Sequence, residues 1–191
     1  MTRAFLLALL SAGLFGMATP FSKSLLDGLQ ENQLAGLLYC GAAVFLTPHM
    51  ALRWRKHETT VPRDARNRLM LLGAIFFGGV VGPVLLLLGL RLSQAASVSM
   101  WLNLETVATA VLAVLFFREH LGKWTWLANA AVLFAGVLLS VDRGWAGLWG
   151  ILLVGGAAIS WGVDNNLTAT IDGVTPQATT FWKGLVAGTT N

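Results

Sequence analysis

Residues 97–120, SVSMWLNLETVATAVLAVLFFREH, include Glu105, the one charged residue between Ser97 and Phe117. A run of this length and hydropathy predicts a helix that crosses a membrane. In a helix over 94–117, Glu105 lies roughly 16 Å from either end, too deep for its side chain to reach the surface. An ionised carboxylate at that depth costs about 2.5–3.5 kcal/mol. Glu105 must therefore face the protein interior or a wet cavity, or carry a proton.

The composition of the whole chain predicts an integral membrane protein. Of the 191 residues, 55% are hydrophobic and only 12% are charged, and the mean hydropathy is +0.68. These values lie outside the range of ordinary soluble domains. The predicted fold is all-α and polytopic, with spans at about 4–22, 33–52, 69–90, 94–117, 124–141 and 147–166 and a truncated span from about 175. A signal peptide is the alternative for the first span and would leave this class unchanged.

The distribution of basic residues predicts the orientation of the spans. Placing the N-terminus in the cytoplasm puts nine of the thirteen Lys and Arg residues on the cytoplasmic side, as the positive-inside rule requires. These nine are Arg3, Arg53, Arg55, Lys56, Arg63, Arg66, Arg68, Arg118 and Lys123. Lys23, Arg91 and Arg143 then lie outside, and Lys183 lies within the seventh span. We expect a multi-pass protein of the plasma membrane that contacts the lipid bilayer and binds no nucleic acid.

A weak internal repeat divides the predicted spans into two groups. Residues 6–26 align without a gap on residues 152–172, with Phe15 opposite Trp161 and Gly16 opposite Gly162. An offset of five spans reverses the direction of the helix, which is what an inverted repeat requires. The expected division is a first repeat over 1–143 and the start of a second over 144–191. On this interpretation the sequence is a truncated protein.

Polar residues around Glu105 predict a cavity site in the membrane. Trp101 and Thr109 are one helical turn from Glu105, and Asn103 and Thr106 lie on adjoining faces. Glu105, Asn103 and Trp101 are therefore candidates for lining a solute cavity, with protonation of Glu105 as a coupling step. The alternative is that Glu105 is a structural clamp that hydrogen-bonds two helices.

The second group of candidates lies in the last two spans. Asp164, Asn165 and Asn166 fall late in the sixth span, where they either line the same pathway or mark the helix end at the interface. Lys183 falls about half-way along the seventh span and requires a carboxylate, a cavity or a neutral state. The available carboxylates are Glu105 and Asp164. The alternative for Lys183 is an anchor at the end of a misplaced helix.

Sequence signatures of soluble enzymes are absent. The chain has no G-x-S-x-G, no H-E-x-x-H, no P-loop and no dinucleotide fingerprint. Its three histidines, His49, His57 and His120, all fall near the predicted cytoplasmic face. We therefore expect a protein that is not an enzyme and that needs neither a cofactor nor a metal.

Three stretches resemble the EamA-type permeases of the drug/metabolite transporter superfamily. Residues 89–140, GLRLSQAASVSMWLNLETVATAVLAVLFFREHLGKWTWLANAAVLFAGVLLS, are similar to the end of a first repeat. Residues 9–26, LLSAGLFGMATPFSKSLL, and 158–188, AISWGVDNNLTATIDGVTPQATTFWKGLVAG, are similar to the starts of the two repeats. Many members carry a proline shortly after the Asn-Leu pair, where this chain has Glu105.

The resemblance implies a ten-helix carrier of two inverted five-helix repeats around a central cavity. Its solutes would be small metabolites, amino acids or drug-like compounds, often moved outward. The first hypothesis is therefore a secondary transporter that works by alternating access. The second is a membrane scaffold or partner subunit that transports nothing. The sequence leaves open the solute, the coupling ion and whether a homodimer forms.

Overall fold

The computed structural model describes residues 2–141 and 144–191, without the side chains of residues 2–3, 117, 137, 139–141 and 144–146. Arg143, predicted to lie on the outer side, and the predicted repeat boundary at 143 fall outside the described residues. No strand occurs in the described chain. Its helices are α1 (Thr2–Leu25), α2 (Glu31–Arg55), α3 (Ala65–Ala74), a π-helical turn (Ile75–Val81), α4 (Gly82–Leu92), α5 (Ala95–Trp101), α6 (Leu104–Phe117), α7 (Lys123–Val141), α8 (Gly144–Ala169) and α9 (Pro176–Thr190).

Five helical stretches among the described residues are long and apolar enough to cross a membrane. They are Ala4–Leu25, Glu31–Arg55, Ala65–Leu92, Ala95–Phe116 and Gly147–Ala169. The prediction of an all-α polytopic membrane fold is thereby confirmed. Two spans differ from the continuous helices that were expected. The third contains the π-helical turn, and the fourth is broken into α5 and α6 at Leu102 and Asn103.

Helix α8 lies at the centre of the bundle. It packs on α3, the π-helical turn and α4 along one side and on α6 along another. Gly89 of α4 faces Val154, and Gly73 of α3 faces Leu167, so α8 is antiparallel to the third span. The two predicted groups of spans are therefore packed into each other.

The main apolar core lies between α4, α5 and α8. Leu87, Leu90, Val98, Trp101 and Val154 are each at most 2% exposed. Helices α1 and α7 are peripheral, and most of the large side chains of α1 are exposed. In a bilayer these surfaces face lipid, which is as apolar as the side chains themselves.

Small residues bring α9 against α2 at backbone distance. A Cβ atom at Gly184 would lie 2.8 Å from the carbonyl oxygen of Tyr39 and 3.0 Å from the backbone nitrogen of Ala43. A Cβ atom at Gly188 would lie 2.7 Å from the backbone nitrogen of Cys40. Two glycines four residues apart thus form the contact face of α9, the small-xxx-small arrangement of membrane helices. The close approach fixes where α9 places Lys183.

Polar contacts close both ends of the bundle. At one end the Arg91 guanidinium forms an ion pair with Glu31 at 2.5 Å, and Lys23 Nζ donates to the Leu90 carbonyl at 2.7 Å. At the other end Asp64 caps α3 by accepting the Asn67 backbone N–H at 2.8 Å. This hydrogen bond stabilises the carboxylate and lowers the pKa of Asp64 below its usual value.

Replacing Gly184 by Ala tests the α2–α9 contact. The added methyl group meets backbone atoms that cannot rotate away, so we expect a loss of about 1–3 kcal/mol in the free energy of unfolding, measured by reversible unfolding in mixed micelles. Gly155→Ala on α8 is the matched control, because a Cβ atom there meets nothing within 4 Å. Equal stability of the two variants would contradict the contact.

Candidate functional site

A π-helical turn in the third span exposes backbone carbonyl groups in the middle of the bundle. Pro83 has no N–H, so it cannot donate to the carbonyls of Gly78 or Gly79, five and four residues earlier. The Gly78 carbonyl instead accepts from Tyr39 Oη and, at 3.0 Å, from Trp161 Nε1. Side chains of α2 and α8 thus replace the missing backbone donor, as they must where no water is present.

Two neighbouring carbonyls of the same turn are also hydrogen-bonded by side chains. Ser160 Oγ donates to the Phe77 carbonyl at 2.8 Å, and Asn191 Nδ2 donates to the Gly79 carbonyl at 3.0 Å. The turn is therefore held by α2, α8 and the residue after α9 together.

A buried ion pair joins α8 to α9 beside this turn. Lys183 Nζ lies 2.6 Å from Asp164 Oδ1 and 2.7 Å from Oδ2, and Thr168 Oγ1 donates to Oδ1 at 3.0 Å. The two charged side chains are 16% and 8% exposed. A Cβ atom at Gly78 would lie 2.0 Å from Asp164 Oδ2, so only glycine leaves room for the carboxylate. Of the two carboxylates that the sequence offers Lys183, the structure selects Asp164.

Glu105 belongs to a separate cluster between α6 and α8. Asn165 Nδ2 donates to Glu105 Oε1 at 2.9 Å and is 3.2 Å from Thr109 Oγ1. Asn166 Nδ2 donates to the Thr109 carbonyl at 3.1 Å. A Cβ atom at Gly162 would lie 3.0 Å from the Thr109 nitrogen, which shows how closely α6 approaches. Asp164 therefore belongs to the cluster of Lys183, and the next two residues of α8, Asn165 and Asn166, belong to the cluster of Glu105.

No cation neutralises Glu105 within the described part of the chain. The ion pairs found there join Arg53 to Glu58, Arg91 to Glu31 and Lys183 to Asp164. The break before α6 puts Glu105 in the first turn of that helix, where the helix dipole favours an anion. Its carboxylate is half-buried.

Trp101 and Asn103 make contacts other than those of Glu105. Between α5 and α6 the helix is tightened, because hydrogen bonds from the Asn103 N–H to Met100 and from the Glu105 N–H to Leu102 join residues three apart, at 3.2 and 3.0 Å. Trp101 is 0% exposed in the apolar core, and Asn103 is exposed, with Nδ2 bonded to the Met100 carbonyl at 2.9 Å.

Gly78 and Glu105 lie half-way along their spans. Gly78 is the fourteenth residue of the 28-residue stretch Ala65–Leu92, and Glu105 is the eleventh of the 22 in Ala95–Phe116. Asp164 comes later in its own span, Gly147–Ala169, but its carboxylate lies against Gly78. Ionisable groups at this depth mark functional sites in membrane proteins more often than not.

Tyr39, Gly78 and Trp161 belong to the site and were not predicted as members. A signal existed for two of them, because Tyr39 is the one tyrosine of the chain and lies in an apolar span, and Gly78 and Gly82 precede Pro83. In the described residues no group of three or more His, Cys, Asp or Glu side chains could hold a metal ion.

Together these features define a polytopic membrane protein with a charged site buried half-way across its bundle. The chain belongs to the EamA-like transporter family, whose model matches residues 2–141. It is similar to an uncharacterized transporter of Methanothermobacter thermautotrophicus, with 27% identity over 169 residues, which are 81% of this chain and 49% of that protein. The chain thus spans about half the length of the curated relative it matches. No solved structure matches it.

Neutralising one member of the ion pair tests its burial. Asp164→Asn leaves the charge of Lys183 without a partner, and Lys183→Met leaves the charge of Asp164 without a partner. Each substitution should therefore lower the free energy of unfolding by about 3–5 kcal/mol. The double variant should cost much less than the sum, since no lone charge remains. Glu58→Gln, which removes the exposed partner of Arg53, should cost at most about 1 kcal/mol. Additive effects at Asp164 and Lys183 would mean that the pair is not coupled.

Proposed function

We propose that the protein is a secondary transporter that moves a small metabolite, amino acid or drug-like solute across the plasma membrane by alternating access, in the outward direction. The observation that carries the proposal is the buried ion pair beside a π-helical turn, half-way along the third span. Secondary carriers build their solute and ion sites in this way, from interrupted helices near the bilayer centre. Membership of the EamA-like transporter family supports the same class.

The proposed coupling group is Glu105. It carries a charge that no cation among the described residues neutralises, whereas the charge of Asp164 is neutralised by Lys183. A proton that binds Glu105 would remove the cost of a charge inside the membrane span and free Asn165 from a charge-assisted hydrogen bond. Protonation would thereby weaken the contact between α6 and α8 and favour their separation.

The proposed complete carrier consists of two inverted five-helix repeats, the second beginning near Gly147. The match of this chain to about half of its relative supports this arrangement. So does the alternation of helix direction, because α8 is antiparallel to the third span and the α8–α9 turn meets the start of α3, where Asp172 N–H donates to Asn67 Oδ1 at 3.3 Å. Asp164, Asn165, Asn166 and Lys183 would line the solute pathway from the second repeat.

Glu105→Gln in the full-length protein tests the coupling step. The amide keeps an oxygen that accepts from Asn165, so the unfolding free energy should stay within about 1 kcal/mol of the parent value. The group can no longer exchange a proton, so solute flux into proteoliposomes should lose its dependence on a pH gradient. Glu119→Gln, at an exposed position after α6, is the control for loss of one carboxylate.

Two other outcomes decide between the proposals. Unchanged flux with unchanged pH dependence in Glu105→Gln would remove Glu105 from the mechanism. An absence of flux for every solute, together with loss of stability in Glu105→Leu, would favour a membrane scaffold in which Glu105 only clamps α6 to α8.

The proposed orientation, with the N-terminus in the cytoplasm, is tested by labelling single cysteines. In a Cys40→Ala background we expect a membrane-impermeant maleimide to label Asp27→Cys in intact cells, because the short turn after α1 lies on the less basic side. Glu58→Cys lies in the basic loop and should react only after the membrane is opened. Both positions are exposed, so the reverse pattern would invert the topology.

A further inference from the structure

A partly open cavity lies between α1, α2, α4 and α8, next to the π-helical turn. It has a volume of about 140 Å³, and its walls are mainly apolar. Its walls include Phe15, Thr19, Ser22, Tyr39, Pro83 and Trp161. None of the described residues that line it carries a carboxylate, ammonium, guanidinium or imidazole group. This cavity is distinct from the clusters around Lys183 and Glu105.

Two buried hydroxyl groups face the cavity without a partner. Thr19 is 5% exposed and Ser22 is 6% exposed. In the described part of the chain neither side-chain hydroxyl makes a hydrogen bond to another protein group. Burying a hydroxyl group without a hydrogen-bond partner destabilises the protein, because the group loses its hydrogen bonds to water. These two hydroxyl groups are therefore free to hydrogen-bond a molecule in the cavity.

Tyr39 adds an acceptor to the same wall. Its O–H donates to the Gly78 carbonyl, which leaves the lone pairs of Oη free to accept. The indole N–H of Trp161 is used by the same carbonyl, so the ring of Trp161 offers the cavity only its apolar surface. The wall thus combines aromatic surface with three oxygen atoms that can bond one small polar group.

We propose that this cavity binds an uncharged, ring-sized apolar part of the transported solute that carries one hydroxyl or ring N–H group, bonded by Thr19, Ser22 and Tyr39. The size follows from the volume, since an apolar cavity of about 150 Å³ is filled by benzene. The neutrality follows from the lining, because a charged group would have no counter-charge there. The assignment rests on the proposed transport function, whose solute it describes in part.

Occupancy of the cavity would act on the π-helical turn directly. Tyr39 and Trp161 form part of the cavity wall and also hold the Gly78 carbonyl, and Gly78 is in contact with Asp164. A ring that presses on these two side chains therefore biases the geometry on which the ion pair depends. Solute binding and movement of the third span are linked in this way.

Binding of phenol, benzene and benzoate to the purified full-length protein in nanodiscs tests the proposal, with ligand-observed NMR as the readout. Phenol should bind about tenfold more tightly than benzene, because it adds one satisfied hydrogen bond. Benzoate has the same ring and a full charge, so it should not bind detectably. This experiment measures no transport, so a failure of the rings to bind would not contradict the proposed coupling at Glu105. Likewise, unchanged transport in Glu105→Gln would not contradict ring binding in the cavity.

Variants at Ser22 locate the site. Ser22→Leu fills the cavity and should abolish binding of both phenol and benzene, whereas Ser22→Ala keeps the space and should weaken phenol alone. Ala12→Leu adds similar volume on an exposed face of α1 and should change neither. Phenol binding that survives in Ser22→Leu, benzoate binding as tight as phenol, or the absence of saturable binding of any ring would overturn the proposal. The last result would mean that the cavity holds water.

Discussion

The ion pair between Lys183 and Asp164 is the interaction on which the centre of the bundle depends. It is formed against Gly78, where any side chain would displace the carboxylate. Gly78 in turn is part of a turn whose carbonyls accept hydrogen bonds from side chains of α2, α8 and Asn191. Loss of the charge on α9 therefore leaves an unpaired carboxylate beside the π-helical turn, where the third span lacks regular α-helical hydrogen bonds.

Close approach of backbones makes this arrangement possible. Glycines of α9 let it lie on α2, and glycines of the third span let α8 lie on α4, so the polar groups meet with little side-chain volume between them. In a membrane such packing replaces the hydrophobic effect as the force between helices. The same small residues that hold the helices together also set the distances in the charged cluster.

The sequence predicts the spans well because hydropathy and length decide them almost alone. It also offers Lys183 the carboxylate of Asp164, which the structure places against it. It does not predict that Trp101 lies in the apolar core, because the break at Leu102 and Asn103 has no glycine or proline to signal it. Nor does spacing along one helix reveal which residue of a neighbouring helix satisfies a carbonyl, and for this reason Tyr39 was missed.

Helix α8 constrains how such a bundle could move. Asp164 ties it to α9, Asn165 and Asn166 tie it to α6, and Trp161 ties it to the third span. A movement of α8 against all three would break every one of these bonds at once, at a cost of several kcal/mol. Release of one contact at a time is less costly, and the bond between Asn165 and Glu105 is the one whose strength a single proton can change. In the proposed transport cycle, opening between α6 and α8 with the ion pair intact would therefore be the lowest-cost first step.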